Sequence, residues 1–382
     1  MKKICYVTTI PGTLESFVIP TAAYLAEHTD WQITMICSDD PSFAAKLPEE
    51  VRYIPVPMKR GISLSGIGAM LKMVKIFRQE KFDLVQYSTP NASLYASLAA
   101  KLAGVPVRLY CQWGIVYVGF QGFKRKIFKA IEKMVCGLST WAEPDSFGNL
   151  KFSRSEGLYD EGKSSVVWNG SASGVDLNKF DISHKKQWRE EIRTKYGIGK
   201  DALVYGFVGR ITRDKGIDEL FSAYKAVADE REDTRLMLVG TIENEELLTQ
   251  DLLKWARSDE RVIFCGRTNE VEKYMSAMDV YILPSYREGF GSAVVEAEAM
   301  GVPVIVSDIP GPTDAMRRDE TGLLVKKADV ETLRQAMLRL YDDAALRHRM
   351  GDAAHRFAVE HFDQKELAQH ILEDRKRLLQ IQ

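Results

Sequence analysis

The sequence predicts an α/β protein built from two doubly wound parallel-sheet domains that face each other across a cleft. The chain has 382 residues, which is too long for one hydrophobic core and suits two domains of ordinary size. Short apolar runs alternate with helical segments, the pattern of parallel α/β domains. This alternation begins twice, on either side of a polar stretch at residues 169–186, and therefore indicates two domains.

The first series of strands defines an N-terminal domain over residues 1–180. Its apolar runs cover residues 4–8, 32–36, 82–87 and 105–110. The loop after the first run contains Gly12 and Thr13, and Gly12 would let Thr13 approach a ligand in the cleft. Because the loop lacks the G-x-G-x-x-G pattern of a phosphate loop, a plain strand-to-helix turn is the alternative.

The second series of strands defines a C-terminal domain over residues 181–362. Its apolar runs cover residues 203–208, 235–239, 261–265, 279–283 and 302–306. The boundary lies between a run of turn formers at residues 169–174 and a charged helix. A last helical segment, residues 363–382, ends the sequence.

The most informative stretch is residues 280–306, which joins two of these strands through a glycine-rich loop and a helix. Gly289 and Gly291 leave the backbone open to a ligand because neither carries a Cβ atom. Ser292 is expected to be the N-cap of the helix that follows. Free backbone N–H groups and the helix dipole then favour an anionic or hydroxyl-rich ligand at this loop.

Two glutamates of this stretch are candidate ligands for hydroxyl groups. Glu288 lies in the loop and Glu296 lies early in the helix. A carboxylate accepts two hydrogen bonds from a vicinal diol, so the two acids can hold two sugars, a transferred hexose and a ribose. Glu298 lies on a different helical face and is expected to be solvated.

Two cations follow the strand at residues 203–208. Gly209 opens a turn, and Arg210 leaves it at the carboxyl end of the sheet, where doubly wound sheets bind ligands. A guanidinium forks onto phosphate oxygens, and Lys215 in the same loop adds a point charge. Arg210 and Lys215 are therefore candidate ligands for a diphosphate.

These motifs together resemble glycosyltransferase family 4, a family of retaining enzymes with the GT-B fold. Glu288-Gly289-Phe290-Gly291, Glu296-Ala297 and Gly301-x-Pro303-Val304 match its Glu-x7-Glu signature. Val208-Gly209-Arg210 and Asp214-Lys215-Gly216 match the turn and the lysine that bind the donor diphosphate in the family. The resemblance implies GT-B architecture, with two Rossmann-like domains and a C-terminal helix that crosses back to the first domain.

The resemblance also implies a reaction and its substrates. It points to transfer of a hexose or N-acetylhexosamine from a nucleotide sugar, expected to be UDP-linked, to a lipid-linked saccharide in cell-surface polysaccharide biosynthesis. Arg210, Lys215 and Glu288 would be catalytic. Glu296 would hold the ribose, and Arg267 or Thr268 would line the base. The donor-binding residues so implied are Gly12, Thr13, Gly209, Arg267, Thr268, Gly289, Phe290, Gly291, Ser292 and Glu296.

No metal or other cofactor is expected. The sequence has no Asp-x-Asp motif and no histidine–cysteine cluster with ligand spacing. In the family, the cations that correspond to Arg210 and Lys215 neutralise the departing diphosphate. The family retains anomeric configuration by front-face attack, in which the leaving phosphate accepts the proton of the acceptor, so no protein nucleophile is assigned.

One departure from the family concerns the donor sugar. Many members carry a histidine before a glycine after the strand that corresponds to residues 105–110, whereas this chain has Trp113-Gly114. Trp113 can stack on a sugar face and donate one hydrogen bond, or it can be a core residue. Both interpretations stay open.

The charge distribution bears on the partners. The net charge of −1 argues against nucleic acid as a partner. Residues 1–180 contain 21 basic and 16 acidic residues, and the rest of the chain contains 31 and 37. The first half is therefore the basic one.

Aromatic and basic residues alternate at helical spacing within residues 119–134. Such a helix can lie on an anionic membrane surface, or it can be an ordinary amphipathic helix with solvated lysines. The candidate contacts with the membrane are Phe120, Phe123, Lys124, Arg125 and Lys126, and the patch would extend to Lys59, Arg60, Lys72, Lys75, Arg78 and Lys81.

Cysteine usage and hydropathy indicate a location. The five cysteines form no C-x-x-C pair and fall mostly in or beside expected strands, which favours buried reduced thiols. No run of about 18 apolar residues is present. The expected location is cytoplasmic. It is peripheral on the inner face of the cell membrane if the helix at residues 119–134 lies on a membrane surface.

Two other functions fit the same motifs. A nucleotide-sugar epimerase of the same fold would ordinarily need acid–base side chains that include histidines, and no histidine lies between His28 and His184. A non-catalytic nucleotide-sugar binder would be a decayed enzyme. Four intact residues argue against decay: Arg210, Lys215, Glu288 and Glu296.

Overall fold

The computed structural model describes residues 1–58, 61 and 64–380. Lys59 and Arg60, which the sequence adds to the basic patch, lie outside the described residues. The chain divides into two compact units, the first made of residues 1–174 and 364–382 and the second of residues 175–363. Each unit has its own parallel sheet.

The first unit contains a six-stranded sheet within the described residues, in the order β3-β2-β1-β4-β5-β6. Its strands are β1 Lys3–Val7, β2 Gln32–Cys37, β3 Val51–Pro55, β4 Leu84–Tyr87, β5 Val107–Gln112 and β6 Trp141–Pro144. Its helices are α1 Pro11–Phe17, α2 Ile19–His28, α3 Pro41–Ala44, α4 Leu64–Glu80, α5 Pro90–Ala103, α6 Gly122–Leu138, α7 Phe147–Ser155 and the last helix of the chain, Gln364–Gln380. All neighbouring strands are parallel, as expected for a doubly wound unit.

The second unit repeats this topology, with the described strands in the order β12-β11-β10-β7-β8-β9. Its strands are β7 Leu203–Val208, β8 Thr234–Val239, β9 Val262–Gly266, β10 Val280–Leu283, β11 Val304–Ser307 and β12 Gly322–Val325. Its helices are α8 Lys185–Lys195, α9 Ile217–Glu230, α10 Gln250–Ser258, α11 Val271–Ala277, α12 Ser292–Ala299, α13 Val330–Asp342 and α14 Ala344–Phe362, so the last helix of the chain is α15.

The central strands of the second sheet are buried on both faces, which explains why continuous apolar runs predicted them. All four residues of β10 are buried, because helices cover both faces of a parallel sheet. The nine expected strands all form, with ends that differ by up to two residues. Three further strands, β3, β6 and β12, were not predicted: they are only four or five residues long and lie at the sheet edges.

The boundary between the units lies before residue 175 rather than at residue 180. The backbone N–H of Val175 donates to the Phe362 carbonyl (2.7 Å), and Phe180 is buried in the core of the second unit. Residues 175–180 therefore belong to the second unit. Helix α15 packs on α2 of the first unit.

The cysteines are free thiols in mostly buried positions. Cys5, Cys37, Cys111 and Cys136 are buried and Cys265 is half-buried. Burial raises the pKa of Cys37 to about 12 and that of Cys265 to about 11. In the parts of the chain that the structure describes, no helix is both long enough and apolar enough to cross a membrane.

Candidate functional site

The strand order of the second unit reverses between β7 and β10, and the loops after these two strands meet. Lys215 lies in the short 3-10 helix Arg213–Lys215 after β7, and its Nζ donates to Glu288 Oε1 at 2.5 Å. Ser285 Oγ donates to the same oxygen at 2.7 Å. The side chains of Lys215 and Glu288 are mostly buried. The reversal point of a doubly wound sheet is where ligands bind, so this pair marks the candidate site.

Gly216 is what allows Lys215 to lie so close to β10. A Cβ atom on this residue would come within 2.1 Å of the Pro284 carbonyl oxygen, and the backbone has φ +72°. Only glycine fits both the conformation and the contact. The loop after β7 is thereby pressed against the end of β10.

Arg210 leaves the same loop closer to the end of β7. Its Nη1 lies 3.2 Å from Glu243 Oε2, and both side chains are substantially exposed. Backbone hydrogen bonds join the loop after β7 to the end of β8 and the loop that follows it. Gly209 N–H donates to the Val239 carbonyl and Ile211 N–H to the Thr241 carbonyl, both at 2.9 Å. Arg210 and Lys215 thus lie on one loop at the carboxyl edge of the sheet.

The glycine-rich loop between β10 and α12 differs from expectation at Ser292. Gly291 is the N-cap of α12, Ser292 is the first helical residue, and no side chain in the described part of the chain caps this helix. The expectation of a serine cap was wrong because the left-handed backbone at the cap position suits glycine. The first N–H groups of α12 are therefore not used by a capping side chain.

Phe290 and Gly289 lie in the same loop. The Phe290 side chain is buried, and its ring packs at 5.3 Å against Phe362 in the core of the unit. Phe290 can therefore offer a ligand its backbone but not its ring. Gly289 is half-buried, and its carbonyl lies where a Cβ atom on Gly311 would be, so a second glycine loop packs against it.

Glu296 lies in the second turn of α12 and is half-buried. Burial raises its pKa to about 7; Lys179 opposes this rise and Glu272 adds to it. Within the described residues its carboxylate accepts no hydrogen bond. A half-buried acceptor without a partner suits a ligand hydroxyl.

Glu298 was expected to be solvated, and this expectation was wrong. The side chain is fully buried and burial raises its pKa far above the ordinary value. Among the described residues neither carboxylate oxygen has a well-formed hydrogen bond, since the nearby Thr321 hydroxyl bonds to Arg317 instead. Helix α12 lies between the sheet and α14, so a side chain directed away from the site is covered as well.

Arg267 and Thr268 follow β9, two strands from β7 at the same edge of the sheet. Arg267 is exposed, and Thr268 is half-buried, with its hydroxyl accepting from Glu270 N–H at 3.0 Å. The backbone of Gly240 donates to the Gly266 carbonyl and joins this loop to the loop after β8. Both residues lie at the carboxyl end of the sheet, two strands away from the Lys215–Glu288 pair, and do not contact it within the described residues.

In the first unit, Gly12 and Thr13 lie in the first turn of α1, directly after β1. Gly12 is exposed with no atom near its Cβ position, and Thr13 N–H donates to the Ile10 carbonyl at 3.2 Å. At the reversal point of this sheet Thr9 and Thr89 hydroxyls lie 2.8 Å apart, a contact that the sequence did not indicate. Gly12 and Thr13 thus form a strand-to-helix turn, and a ligand contact at Thr13 stays a prediction.

Trp113 follows β5 and is half-buried. Its ring lies 5.4 Å from that of Phe17, and it lines a small cavity of the first unit together with Tyr6, Glu143 and Arg375. It is therefore part of the wall of a polar cavity and not of the hydrophobic core alone.

Helix α6 exposes part of the residue set assigned to a membrane surface. Phe123 is 77% exposed, and Lys124 and Lys126 are exposed. Phe120 instead packs on Phe128, with ring centroids 4.8 Å apart, and Arg125 lies 3.7 Å from Glu156 of the same unit. Phe120 and Arg125 are therefore committed to intramolecular contacts.

The exposed apolar side chains of α6 form one stripe. Phe123, Ile127 and Met134 are exposed and recur at helical spacing, with lysines beside them. On α4, Lys72, Lys75 and Arg78 are exposed, as is Lys81 just after it. The alternative of a helix whose apolar face is all core does not describe α6.

Two charged residues of the site were not predicted from the sequence. Asp214 and Arg287 form an ion pair at 3.0 Å between the loops after β7 and β10. In the sequence both residues resemble solvated loop charges. Only their positions, directly before Lys215 and Glu288, could have indicated that they belong to the site. In the described chain no group of three histidine, cysteine, aspartate or glutamate side chains is arranged to hold a metal ion.

Comparisons with known proteins agree with this architecture. The family model "Glycosyl transferases group 1" matches residues 188–357, and "Glycosyl transferase 4-like" matches residues 3–140. The capsular polysaccharide biosynthesis glycosyltransferase CapM of Staphylococcus aureus is 30% identical over 83% of this chain and 82% of its own. The UDP-Gal:α-D-GlcNAc-diphosphoundecaprenol α-1,3-galactosyltransferase of Escherichia coli is 28% identical over 84% of this chain and 83% of its own.

Solved structures show the same fold over the whole chain. HepE of Anabaena in complex with UDP superposes with a TM-score of 0.78 at 20% identity, covering 99% of this chain and 100% of HepE. The expected GT-B class of fold is thereby confirmed.

Proposed function

The chain belongs to glycosyltransferase family 4, and from that premise we propose that it transfers a hexose or N-acetylhexosamine from a UDP-sugar to a lipid-linked saccharide in cell-surface polysaccharide biosynthesis. That the chain is a glycosyltransferase follows from its family. The donor, the acceptor, retention of configuration and independence of metal are parts of the proposal.

One observation carries the proposal: Lys215 and Glu288 meet at the reversal point of the second sheet, and Arg210 leaves the same loop as Lys215. A cation and a carboxylate side by side suit a ligand that has a phosphate next to a sugar, because the cation binds phosphate oxygens and the carboxylate accepts sugar hydroxyls. A nucleotide sugar has this arrangement at the bond to be broken.

Charge development gives each residue a role. Breaking the bond between the anomeric carbon and the diphosphate leaves positive charge on the sugar and negative charge on the diphosphate. Arg210 and Lys215 stabilise the diphosphate, while Glu288 orients the sugar through its hydroxyls. The uncapped N–H groups at the start of α12 add donors for the same oxygens.

Retention follows if the acceptor attacks from the face that the diphosphate leaves. The acceptor hydroxyl then passes its proton to the departing phosphate oxygen as the new glycosidic bond forms. This route uses no protein nucleophile and no metal ion, since Arg210 and Lys215 already neutralise the leaving group.

The nucleoside binds to other residues at the carboxyl end of the second sheet. Glu296 accepts hydrogen bonds from the ribose hydroxyls, and the loop with Arg267 and Thr268 contacts the base. UDP as the nucleotide is supported by the UDP-Gal donor in the name of the E. coli relative and by the UDP bound to HepE.

Two observations support a lipid-linked acceptor: the name of a relative and the exposed surface of α6. The E. coli relative is named for a diphosphoundecaprenol-linked sugar. A lipid-linked acceptor requires the enzyme to work at a membrane, and the stripe Phe123, Ile127 and Met134 with the exposed Lys124 and Lys126 suits an anionic membrane surface. The proposed location is therefore cytoplasmic and peripheral on the inner face of the cell membrane.

The experiment that tests the function is nucleotide release from UDP-, GDP- and ADP-sugars, each with and without a bacterial lipid-linked saccharide extract. We expect release from a UDP-sugar that requires the extract, persists in EDTA and disappears in Lys215→Ala. Release that requires an added divalent cation would overturn the metal-independent mechanism. Release from a GDP- or ADP-sugar alone would overturn the choice of UDP.

A further inference from the structure

Asp214 lies among three cations at the carboxyl edge of the second sheet. Its Oδ2 accepts from Arg287 Nη2 at 3.0 Å, and its Oδ1 accepts from the Thr212 hydroxyl at 2.6 Å. Burial opposes its ionisation, but Thr212 and the three cations together hold the pKa of Asp214 below its ordinary value. The three cations are Arg287, Arg210 and Lys215.

Arg287 is held at this point by the backbone as well. Tyr286 N–H donates to the Asp214 carbonyl at 2.9 Å, which joins the loop after β10 to the loop after β7. Arg287 is the next residue and directly precedes Glu288. Its side chain is 37% exposed, and one of its five N–H groups is used by Asp214. The other N–H groups have no partner among the described residues and are available to a ligand.

Three cations of this edge are each paired with an acid. Arg210 pairs with Glu243, Lys215 with Glu288, and Arg287 with Asp214. Within these pairs the positive charges only balance the negative ones, whereas the diphosphate of a nucleotide sugar brings at least two more negative charges. Partly exposed pairs such as Arg287–Asp214 are weak, so the guanidinium can turn its free N–H groups to phosphate at little cost.

We propose that Arg287 is a third cation of the donor site, which binds diphosphate oxygens together with Arg210 and Lys215. The inference rests on the proposed function, because it assumes a diphosphate ligand. It adds a residue that lies outside the Gly-Arg turn, the lysine and the two glutamates.

The test compares Arg287→Gln and Asp214→Asn with the control Arg318→Gln. Arg318 is exposed and lies before β12, at the amino end of the strands and away from the site. The affinities for UDP, for uridine and for inorganic pyrophosphate are measured by titration calorimetry. We expect Arg287→Gln to weaken UDP and pyrophosphate about tenfold and to leave uridine unchanged, because a charge-assisted hydrogen bond is lost. Asp214→Asn removes a negative charge beside the phosphates and is expected to tighten UDP several-fold.

The opposite signs separate ligand binding from a structural role. If Arg287 and Asp214 only tie two loops together, both variants weaken UDP and uridine alike, and the inference is overturned. Unchanged UDP affinity in Arg287→Gln also overturns it. If the wild-type protein binds pyrophosphate but no UDP, the proposed donor is wrong, and the pyrophosphate data still decide the role of Arg287. Binding of neither ligand overturns both.

Discussion

Lys215 Nζ lies 2.5 Å from Glu288 Oε1 although 73 residues separate the two in the chain. Lys215 follows β7 and Glu288 follows β10, and these strands are neighbours because the strand order reverses between them. The topology of the sheet therefore brings Lys215 and Glu288, the residues proposed to bind the diphosphate and the sugar, to one point. In the proposed reaction, the bond that breaks joins those two parts of the donor.

The first prediction concerns this pair. Lys215→Ala is expected to lower kcat/KM at least about 100-fold, because it removes a charge that stabilises the departing diphosphate. Glu288→Gln keeps the shape of the side chain and is expected to act mainly through the sugar, so UDP affinity changes little while turnover falls. Nucleotide release and UDP titration measure the two effects.

The matched control for Lys215 is Lys254→Ala, a change of an exposed lysine on α10. Thermal unfolding of all variants separates lost catalysis from lost folding, since Lys215→Ala leaves a mostly buried carboxylate without its ion pair. Full activity in a folded Lys215→Ala variant would contradict the assignment.

The sequence predicted both members of the pair but not the contact between them. Alternating strands and helices indicate a doubly wound sheet, and its strand order places β7 beside β10, yet the distance depends on how Gly216 presses against the Pro284 carbonyl. The ion pair between Arg287 and Asp214 could not be predicted. A charged residue in a loop looks the same in the sequence whether its side chain is solvated or contacts another group.

Burial was the other property that residue pattern did not reveal. Glu298 was expected in solvent because it is charged and faces away from Glu296, but α14 covers that side of α12. The resemblance assigned Phe290 to the donor site, and its ring packs against Phe362, so only its backbone is left for a ligand. In both cases, a helix that is distant in sequence covers the side chain.

The second prediction is a pH dependence of nucleotide affinity that originates at Glu296. Its pKa is raised from 4.5 to about 7, so below pH 7 the free protein holds it mainly protonated. Ribose hydroxyls bind best to the carboxylate, and UDP affinity is therefore expected to rise about tenfold between pH 6 and pH 8. Titration calorimetry across this range measures it.

Glu296→Gln is the control for this pH dependence. The phosphates of UDP titrate equally with both proteins, so the difference between the two curves belongs to residue 296. The same raised pKa makes the wild type lose stability as pH rises from about 4.5 to about 7, because the folded state gives up its bound proton late, and Glu296→Gln should not share that loss. Parallel affinity curves would remove Glu296 from the ribose site.

The third prediction concerns membrane binding by α6. Lys124→Glu with Lys126→Glu is expected to reduce cosedimentation with anionic vesicles by at least about tenfold in partition coefficient, since each lysine near such a surface contributes about 1 kcal/mol. Phe123→Ser with Ile127→Ser is expected to reduce binding to both anionic and neutral vesicles, because it removes exposed apolar area.

Lys200→Glu with Lys254→Glu is the matched double charge reversal, placed on the second unit at exposed positions. If this control lowers vesicle binding as much as the α6 variant, net charge and not α6 determines attachment. Wild-type protein that stays in the supernatant with anionic vesicles would rule out the membrane surface altogether.

The fourth prediction concerns Arg375, which joins α15 to the sheet of the first unit. Its side chain is 1% exposed, its Nη1 and Nη2 donate to Glu143 at 2.5 and 2.8 Å, and Nη2 also donates to Gln86 at 3.1 Å. Removing one partner of a buried ion pair leaves the other charge without compensation. Arg375→Met is therefore expected to lower the free energy of unfolding by about 3–5 kcal/mol, measured by urea denaturation.

Two residues along the same helix, Arg377 provides the control. It pairs with Asp374, whose other carboxylate oxygen accepts from Arg375 Nη1 at 2.7 Å, but the Arg377 side chain is 41% exposed, and Arg377→Met is expected to cost about 1 kcal/mol or less. Combining Arg375→Met with Glu143→Gln removes the uncompensated charge, so the double variant should be more stable than Arg375→Met alone. Equal losses in Arg375→Met and Arg377→Met would mean that the buried pair contributes no more than a surface one, and that apolar packing of α15 on α2 holds this helix in place.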